Sequence, residues 1–133
     1  MNRTFADTFY FLALLNPKDA AHAGAVAAAR NIQGQLVTTA WVLTELADAM
    51  SAPENRQEFI STLEDLRQNP AVTIVPPDSS LFDQAIELFA RRADKAWSLT
   101  DCISFVVMQR QGITEALTGD KHFQQAGFVA LLK

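Results

Sequence analysis

The sequence predicts an α/β protein in which a mostly parallel sheet is covered by helices on both faces. Short apolar runs of strand length alternate with longer segments whose apolar residues recur at helical spacing, an alternation that builds parallel sheets. The segment WSLTDCISFVVMQRQ, from Trp97, is apolar nearly all round, which marks a central helix covered on several sides. A chain of 133 residues suits one domain spanning residues 1–133, burying about two thirds of its unfolded surface.

The elements follow from local chemistry. Arg3 to Asp7 reads as the first strand. Thr8 can cap a helix from Phe9 to Leu15, ended by the Asn16-Pro17 turn. Asp19 to Asn31 is rich in alanine, the best helix former, with Gly34 in the turn after it. Gln35 to Thr39 reads as a strand and AWVLTELADAM as a helix ending before Pro53. Asn55 to Gln68 carries Phe59, Ile60, Leu63 and Leu66 at helical spacing and stops at Asn69-Pro70. A strand from Val72 to Val75 follows, then capping candidates Asp78, Ser79 and Ser80 and a helix from Leu81 to Arg92. After the central helix come a strand from Glu115 to Thr118, a helical turn around His122 to Ala126 and a strand from Phe128 to Leu132.

Composition narrows the classes of function. No apolar run approaches the roughly 18 residues of a membrane span, and Asp7 interrupts the only N-terminal apolar stretch, so neither a membrane segment nor a signal peptide is expected. A single cysteine, Cys102, allows no internal disulfide and fits a reducing cytoplasm. Fifteen acidic against eleven basic residues, a formal net charge of −4, exclude nucleic-acid binding by bulk electrostatics. A nucleic-acid substrate would need cations to help.

Four acids stand out. Asp101 shares one helical stripe with Phe105 and Met108, with no Lys or Arg on it, and a buried carboxylate needs a partner, a proton or a cation. Asp7 and Asp120 fall at strand ends, and Glu45 lies inside the apolar sector of its helix. Ligands of open α/β sheets bind beyond the carboxyl ends of the strands, so the four can meet in one cleft. Clustered carboxylates are stable as anions mainly around a divalent cation, and oxygen ligands suit Mg2+ or Mn2+. Such an ion activates water for attack on a phosphodiester.

Each acid also has a blander role. Asp101 can be a first-turn acid favoured by the helix dipole, Asp7 a turn residue, Glu45 a rim glutamate and Asp120 part of a Thr-Gly-Asp-Lys turn. His22 and His122 lack metal-ligand spacing with each other or Cys102 and read as surface or loop histidines, with an approach to substrate as the alternative for His122. Trp41 and Trp97 read as core or rim packing, and Arg91, Arg92 and Lys95 as a solvated helix end or a group steering RNA phosphates. Phe9 to Leu15 is apolar around its circumference, so either a partner or the fourth helix covers it.

In FADTF, WVLTELADAM, SLTDCISF and ALTGDKHFQQAGF, with their acids Asp7, Glu45, Asp101 and Asp120, the chain resembles the PIN-domain family of metal-dependent ribonucleases. Within that family it looks like the VapC-type toxins of bacterial toxin–antitoxin pairs and their stand-alone relatives. The resemblance covers essentially the whole chain. It implies a three-layer α/β/α sandwich of flavodoxin-like or Rossmann-like type. It also implies Asp7 and Asp101 as direct metal ligands, Glu45 and Asp120 completing the cluster directly or through water, and support from the hydroxyls of Thr8 and Thr118. The implied reaction is endonucleolytic hydrolysis of single-stranded or looped RNA, leaving a 5′-phosphate and a 3′-hydroxyl, and the implied partners are a second copy and a cognate antitoxin. A catalytically silent PIN-like module that binds RNA or protein is the alternative. Receiver domains and haloacid-dehalogenase-type phosphatases fit less well, since the first strand ends in Asp7-Thr8-Phe9 rather than paired acids or Asp-x-Asp.

Overall fold

The structure, a computed structural model, describes residues 2–133. Strands β1 (Arg3–Ala6), β2 (Gln35–Thr39), β3 (Val72–Val75), β4 (Glu115–Leu117) and β5 (Val129–Ala130) form one sheet in the order β3-β2-β1-β4-β5. Every neighbouring pair is parallel, so the sheet is wholly rather than mostly parallel. Helices α1 (Thr8–Leu15), α2 (His22–Asn31), α3 (Ala40–Ala49), α4 (Pro53–Gln68), α5 (Ser79–Arg91), α6 (Leu99–Gln111) and α7 (Lys121–Gln125) fill the connections, completing the expected sandwich. β1 to β3 add in one direction and β4 to β5 in the other, so the strand order reverses between β1 and β4. A crevice opens at such a switch point, past the strand ends.

Several boundaries differ from expectation, each for a local reason. Thr8 does not cap α1 but opens it, because its hydroxyl is turned to Glu45; Asp7 takes the cap position. α2 starts at His22, since Asp19 accepts the Ala21 amide at 2.8 Å and forms a turn ahead of the helix. α4 starts at Pro53, two residues before Asn55, because proline suits a first helical turn. Asp78 accepts from the Ser80 amide at 3.0 Å, which starts α5 at Ser79. α7 begins at Lys121 under an Asp120 cap. β1 and β4 stop one residue early, leaving Asp7 and Thr118 outside the strands, and β5 keeps only Val129 and Ala130 of the expected run.

α6 is the helix that the rest surrounds: Asp101 through Met108 are all buried, and Gly112 closes it in the left-handed region at φ 66°, which suits glycine. Phe105 is the hub, meeting the rings of Trp97 at 5.0 Å, Phe123 at 4.9 Å and Phe128 at 5.7 Å. α1 packs on α2 and α3 rather than under α4, and the His22 ring nitrogen lies 2.8 Å from the Ala13 carbonyl, tying α2 to α1. Tyr10, Phe11 and Ala13 are buried, while Phe9, Leu12, Leu14 and Leu15 remain partly exposed. Among the described residues no helix is long and apolar enough to cross a membrane.

Phe105→Ala removes the hub ring, 1% exposed. It is expected to lower unfolding free energy by about 3–5 kcal/mol in urea denaturation; a loss below about 1 kcal/mol would show that the aromatic cluster collapses around the gap without it.

Candidate metal centre

Each of the four acids is delivered by a separate element and held by a short-range device. Asp7 stands one residue past β1 and is 5% exposed. Thr118, just past β4, donates its hydroxyl to Asp7 Oδ2 at 2.8 Å and accepts the Asp120 amide at 3.1 Å, so one threonine stitches the two diverging strand ends together. Glu45, on the second turn of α3, accepts a hydrogen bond from the Thr8 hydroxyl through Oε1. Asp101 sits in the first turn of α6, where Ser98 Oγ accepts its amide at 3.0 Å and Asp101 Oδ2 accepts the Ser98 amide at 3.1 Å, a reciprocal capping box. Asp120 caps α7 by accepting the His122 amide at 2.9 Å.

The four carboxylates open onto one cleft of about 400 Å³, whose walls also include Thr8, Phe9, Leu12, Ala96, Ser98 and His122. Gly119 backs the Phe9 ring that lines it: a Cβ there would lie 2.5 Å from the tip of that ring, so a larger residue would push the ring from its place. The cleft thus gathers all four predicted acids. Glu45 differs in one respect, being exposed at the rim rather than within an apolar sector.

The sequence did not mark His122 as part of the acid cluster. Expected on a surface or loop, it is half-buried, with Nδ1 3.0 Å from Asp101 Oδ2 and 3.4 Å from Asp120 Oδ1. The signal was present in Asp-Lys-His: a capping aspartate binds the amide two residues on, which brings the side chain of that residue back beside the cap. Trp97 packs as expected, 6% exposed, with its Nε1 donating to Gln125 at 3.0 Å. Of the basic group, Arg92 is engaged, its guanidinium bonded to Asp94 at 3.0 Å and lying 4.9 Å over the Trp97 ring. Lys95 Nζ is 3.8 Å from Asp94. Arg91 is exposed at the end of α5.

The electrostatics favour a cation. Among the described residues no Lys or Arg nitrogen lies within 4.0 Å of the four acids. Burial pushes the Asp7 carboxyl up to about 7; the Thr118 hydroxyl opposes the rise, the Asp101 charge adds to it, the Thr8 amide opposes it, and Glu45 adds again. Glu45, Asp101 and Asp120 each commit one oxygen to a donor and leave the other without a hydrogen bond among the described residues. Oxygens held this way fit a hard divalent ion. Asp101, Asp120 and His122 each offer one ligand atom within 4.8 Å of the other two.

The PIN domain model matches residues 4–129. The chain belongs to the PIN-domain family. Among curated PIN-family relatives, the 23S rRNA-specific endonuclease VapC20 of Mycobacterium tuberculosis is 29% identical over 125 residues, covering 94% of this chain and 95% of the relative. The crystal structure of that VapC20, described as a Sarcin-Ricin loop cleaving toxin, superposes with a TM-score of 0.87 at 27% identity, over 96% of this chain and 97% of the other. Two further solved structures share the fold. FitAcB from Neisseria gonorrhoeae matches at TM-score 0.66 and 20% identity, over 96% of this chain and 94% of the other. VapBC2 from Rickettsia felis, bound to a promoter DNA fragment, matches at 0.67 and 14%, over 97% and 96%.

The raised Asp7 value has a defined consequence for stability. Its proton is held more tightly in the folded chain, near 7, than at the ordinary value of 3.8, so this carboxyl stabilises the fold below about pH 4 and loses that contribution as pH rises to 7. With EDTA present, Asp7→Asn is therefore expected to be more stable than the parent by several kcal/mol at pH 8, with most of the advantage gone at pH 4.5. A pH-independent difference in urea denaturation would contradict the assignment.

Proposed function

We propose that the chain is a divalent-metal-dependent endoribonuclease, the toxin of a type II toxin–antitoxin pair, acting in the cytoplasm as one domain spanning its 133 residues. The observation that carries this is the convergence of Asp7, Glu45, Asp101 and Asp120 on one cleft with, among the described residues, no Lys or Arg nitrogen within 4.0 Å of them. An RNA substrate follows the specificity in the name of the Mycobacterium tuberculosis relative, in single-stranded or looped form.

In this reading Asp7 and Asp101 hold Mg2+ or Mn2+ directly, and Glu45 and Asp120 complete the shell directly or through water. The ion would supply a lowered pKa for an attacking water and neutralise charge on the phosphodiester. The chain's own residues do the positioning. Thr118 fixes the Asp7 carboxylate and Thr8 fixes Glu45, while the Ser98 box holds Asp101 in a single rotamer. Phe9 and Leu12 form an apolar wall beside the acids, against which a base or ribose can rest. Arg91 and Lys95, on the segment that leads into the cleft-lining Ala96, serve as phosphate contacts, whereas Arg92 is engaged by Asp94 and the Trp97 ring.

Two partners follow. On α5, Phe82, Ile86 and Phe89 form an exposed stripe at helical spacing, 39%, 40% and 48% exposed, a surface for a second copy. A groove between Leu12 and Leu15 of α1 and Met50, Asn55 and Glu58 beyond α3 offers a seat for an antitoxin segment, in keeping with the toxin–antitoxin complexes that share the fold.

The purified protein should cleave RNA with Mg2+ or Mn2+ and stop with EDTA. Asp7→Asn and Asp101→Asn should each lower the rate at least about a hundredfold, the scale of several kcal/mol of transition-state stabilisation, with circular dichroism unchanged. Undiminished cleavage by both variants would refute the proposal. Separately, Phe82→Glu with Phe89→Glu should convert a dimer to a monomer in light scattering; a dimer that survives both would place the second copy elsewhere.

A further inference from the structure

Resting on the metal-centre reading above, we propose that His122 is itself a metal ligand through Nδ1. With Asp101 and Asp120 it makes a mixed nitrogen–oxygen position that prefers Mn2+ and later first-row ions over Mg2+. Nδ1 faces both carboxylates, at 3.0 Å and 3.4 Å. Cis ligands of an octahedral ion with bonds of about 2.1 Å stand about 3 Å apart, a spacing that Nδ1 already approaches to each carboxylate, and the ligand atoms of all three side chains lie within 4.8 Å of one another.

A hydrogen bond from Nδ1 would leave acceptor capacity on both carboxylates. Asp101 Oδ2 accepts from the Ser98 amide and Asp120 Oδ1 from the amide of His122 itself. The ring nitrogen is a second approach to each of these oxygens, while the second oxygens of Asp101 and Asp120 have no donor among the described residues and stay open to an ion. Nε2 likewise has no partner among the described residues and can carry the proton of the neutral tautomer, which leaves the Nδ1 lone pair for an ion. The ring is held in place from behind: the next residue, Phe123, is fully buried against Phe5 and Phe105.

The donor set decides the preference. An all-carboxylate shell suits Mg2+ and Mn2+ alike, whereas imidazole is a poor ligand for Mg2+ and a good one for first-row transition ions. Replacing one oxygen with His122 Nδ1 therefore biases this centre away from Mg2+.

The test uses MnCl2 and MgCl2 with the whole chain. Pulsed electron paramagnetic resonance of the Mn2+-loaded parent should show coupling to an imidazole nitrogen that disappears in His122→Ala. The other histidine, His22, is occupied at the Ala13 carbonyl on α1. By calorimetry Mn2+ should bind the parent at least tenfold tighter than Mg2+, and His122→Ala should weaken Mn2+ tenfold or more while changing Mg2+ by less than about threefold. Bound Mn2+ without imidazole coupling in the parent overturns this inference, whatever the affinities, and leaves the ribonuclease proposal standing. Failure of the parent to bind Mn2+ at millimolar concentration overturns both.

Discussion

Four carboxylates share one cleft at the point where β1 and β4 part, and like charges at that distance oppose one another. Holding them together is the constraint around which the chain is built. Two devices answer it: Asp101 and Asp120 are fixed by neighbours in sequence, through the Ser98 box and the Asp120 cap, and Glu45 and Asp7 by hydroxyls from distant segments, through the Thr8 bond and the Thr118 stitch. None of these donors carries a full charge, so each carboxylate is oriented without being neutralised by an arginine or lysine. Orientation without neutralisation is what a metal ligand needs and what a structural ion pair lacks.

Behind the cleft the same positions are tied to the core. Phe5 lies two residues before Asp7, Trp97 directly precedes Ser98, Phe105 lies one turn after Asp101, and Phe123 directly follows His122. These rings pack on one another edge to face or tilted at 4.9 to 6.3 Å, contacts worth about 0.5–1.5 kcal/mol each beyond the area they bury. An aromatic residue within a turn of each such position converts core packing into placement of the polar side chain beside it. The repulsive face and the cohesive core are thus two sides of the same short segments.

That pairing also explains what was legible in the sequence. The parallel sheet follows from alternation of period two with period 3.6, and Asp101 stood out because a carboxylate on the Phe105 and Met108 stripe cannot be an ordinary surface acid. Strand-end acids were legible because parallel sheets place their sites there. What escaped depended on the folded chain: the cap reading of Thr8 failed because its hydroxyl is turned to Glu45, 37 residues away, in keeping with its expected support of the cluster, and Arg92 is no solvated helix end because Asp94 and the Trp97 ring engage it. His122 escaped for a different reason. Metal-ligand spacing was sought between histidines and the cysteine, whereas its partners are an acid two residues earlier and one on another helix.

Asp7 shows how stability and activity meet. Its carboxyl holds its proton up to about 7 because it is buried among other acids, so at neutral pH the unliganded site is in part a protonated one. In the proposed enzyme a cation that enters displaces that proton, and binding to the folded chain alone stabilises it in proportion to the logarithm of the ion concentration over its dissociation constant. The same event changes how the cleft meets RNA. A chain of net charge −4 with four acids in its cleft repels a phosphodiester until positive charge is placed among them. Ion binding therefore relieves the repulsion stored in the fold and the repulsion facing the substrate through one set of contacts, which is why the acids can be gathered so closely without an arginine to hold them.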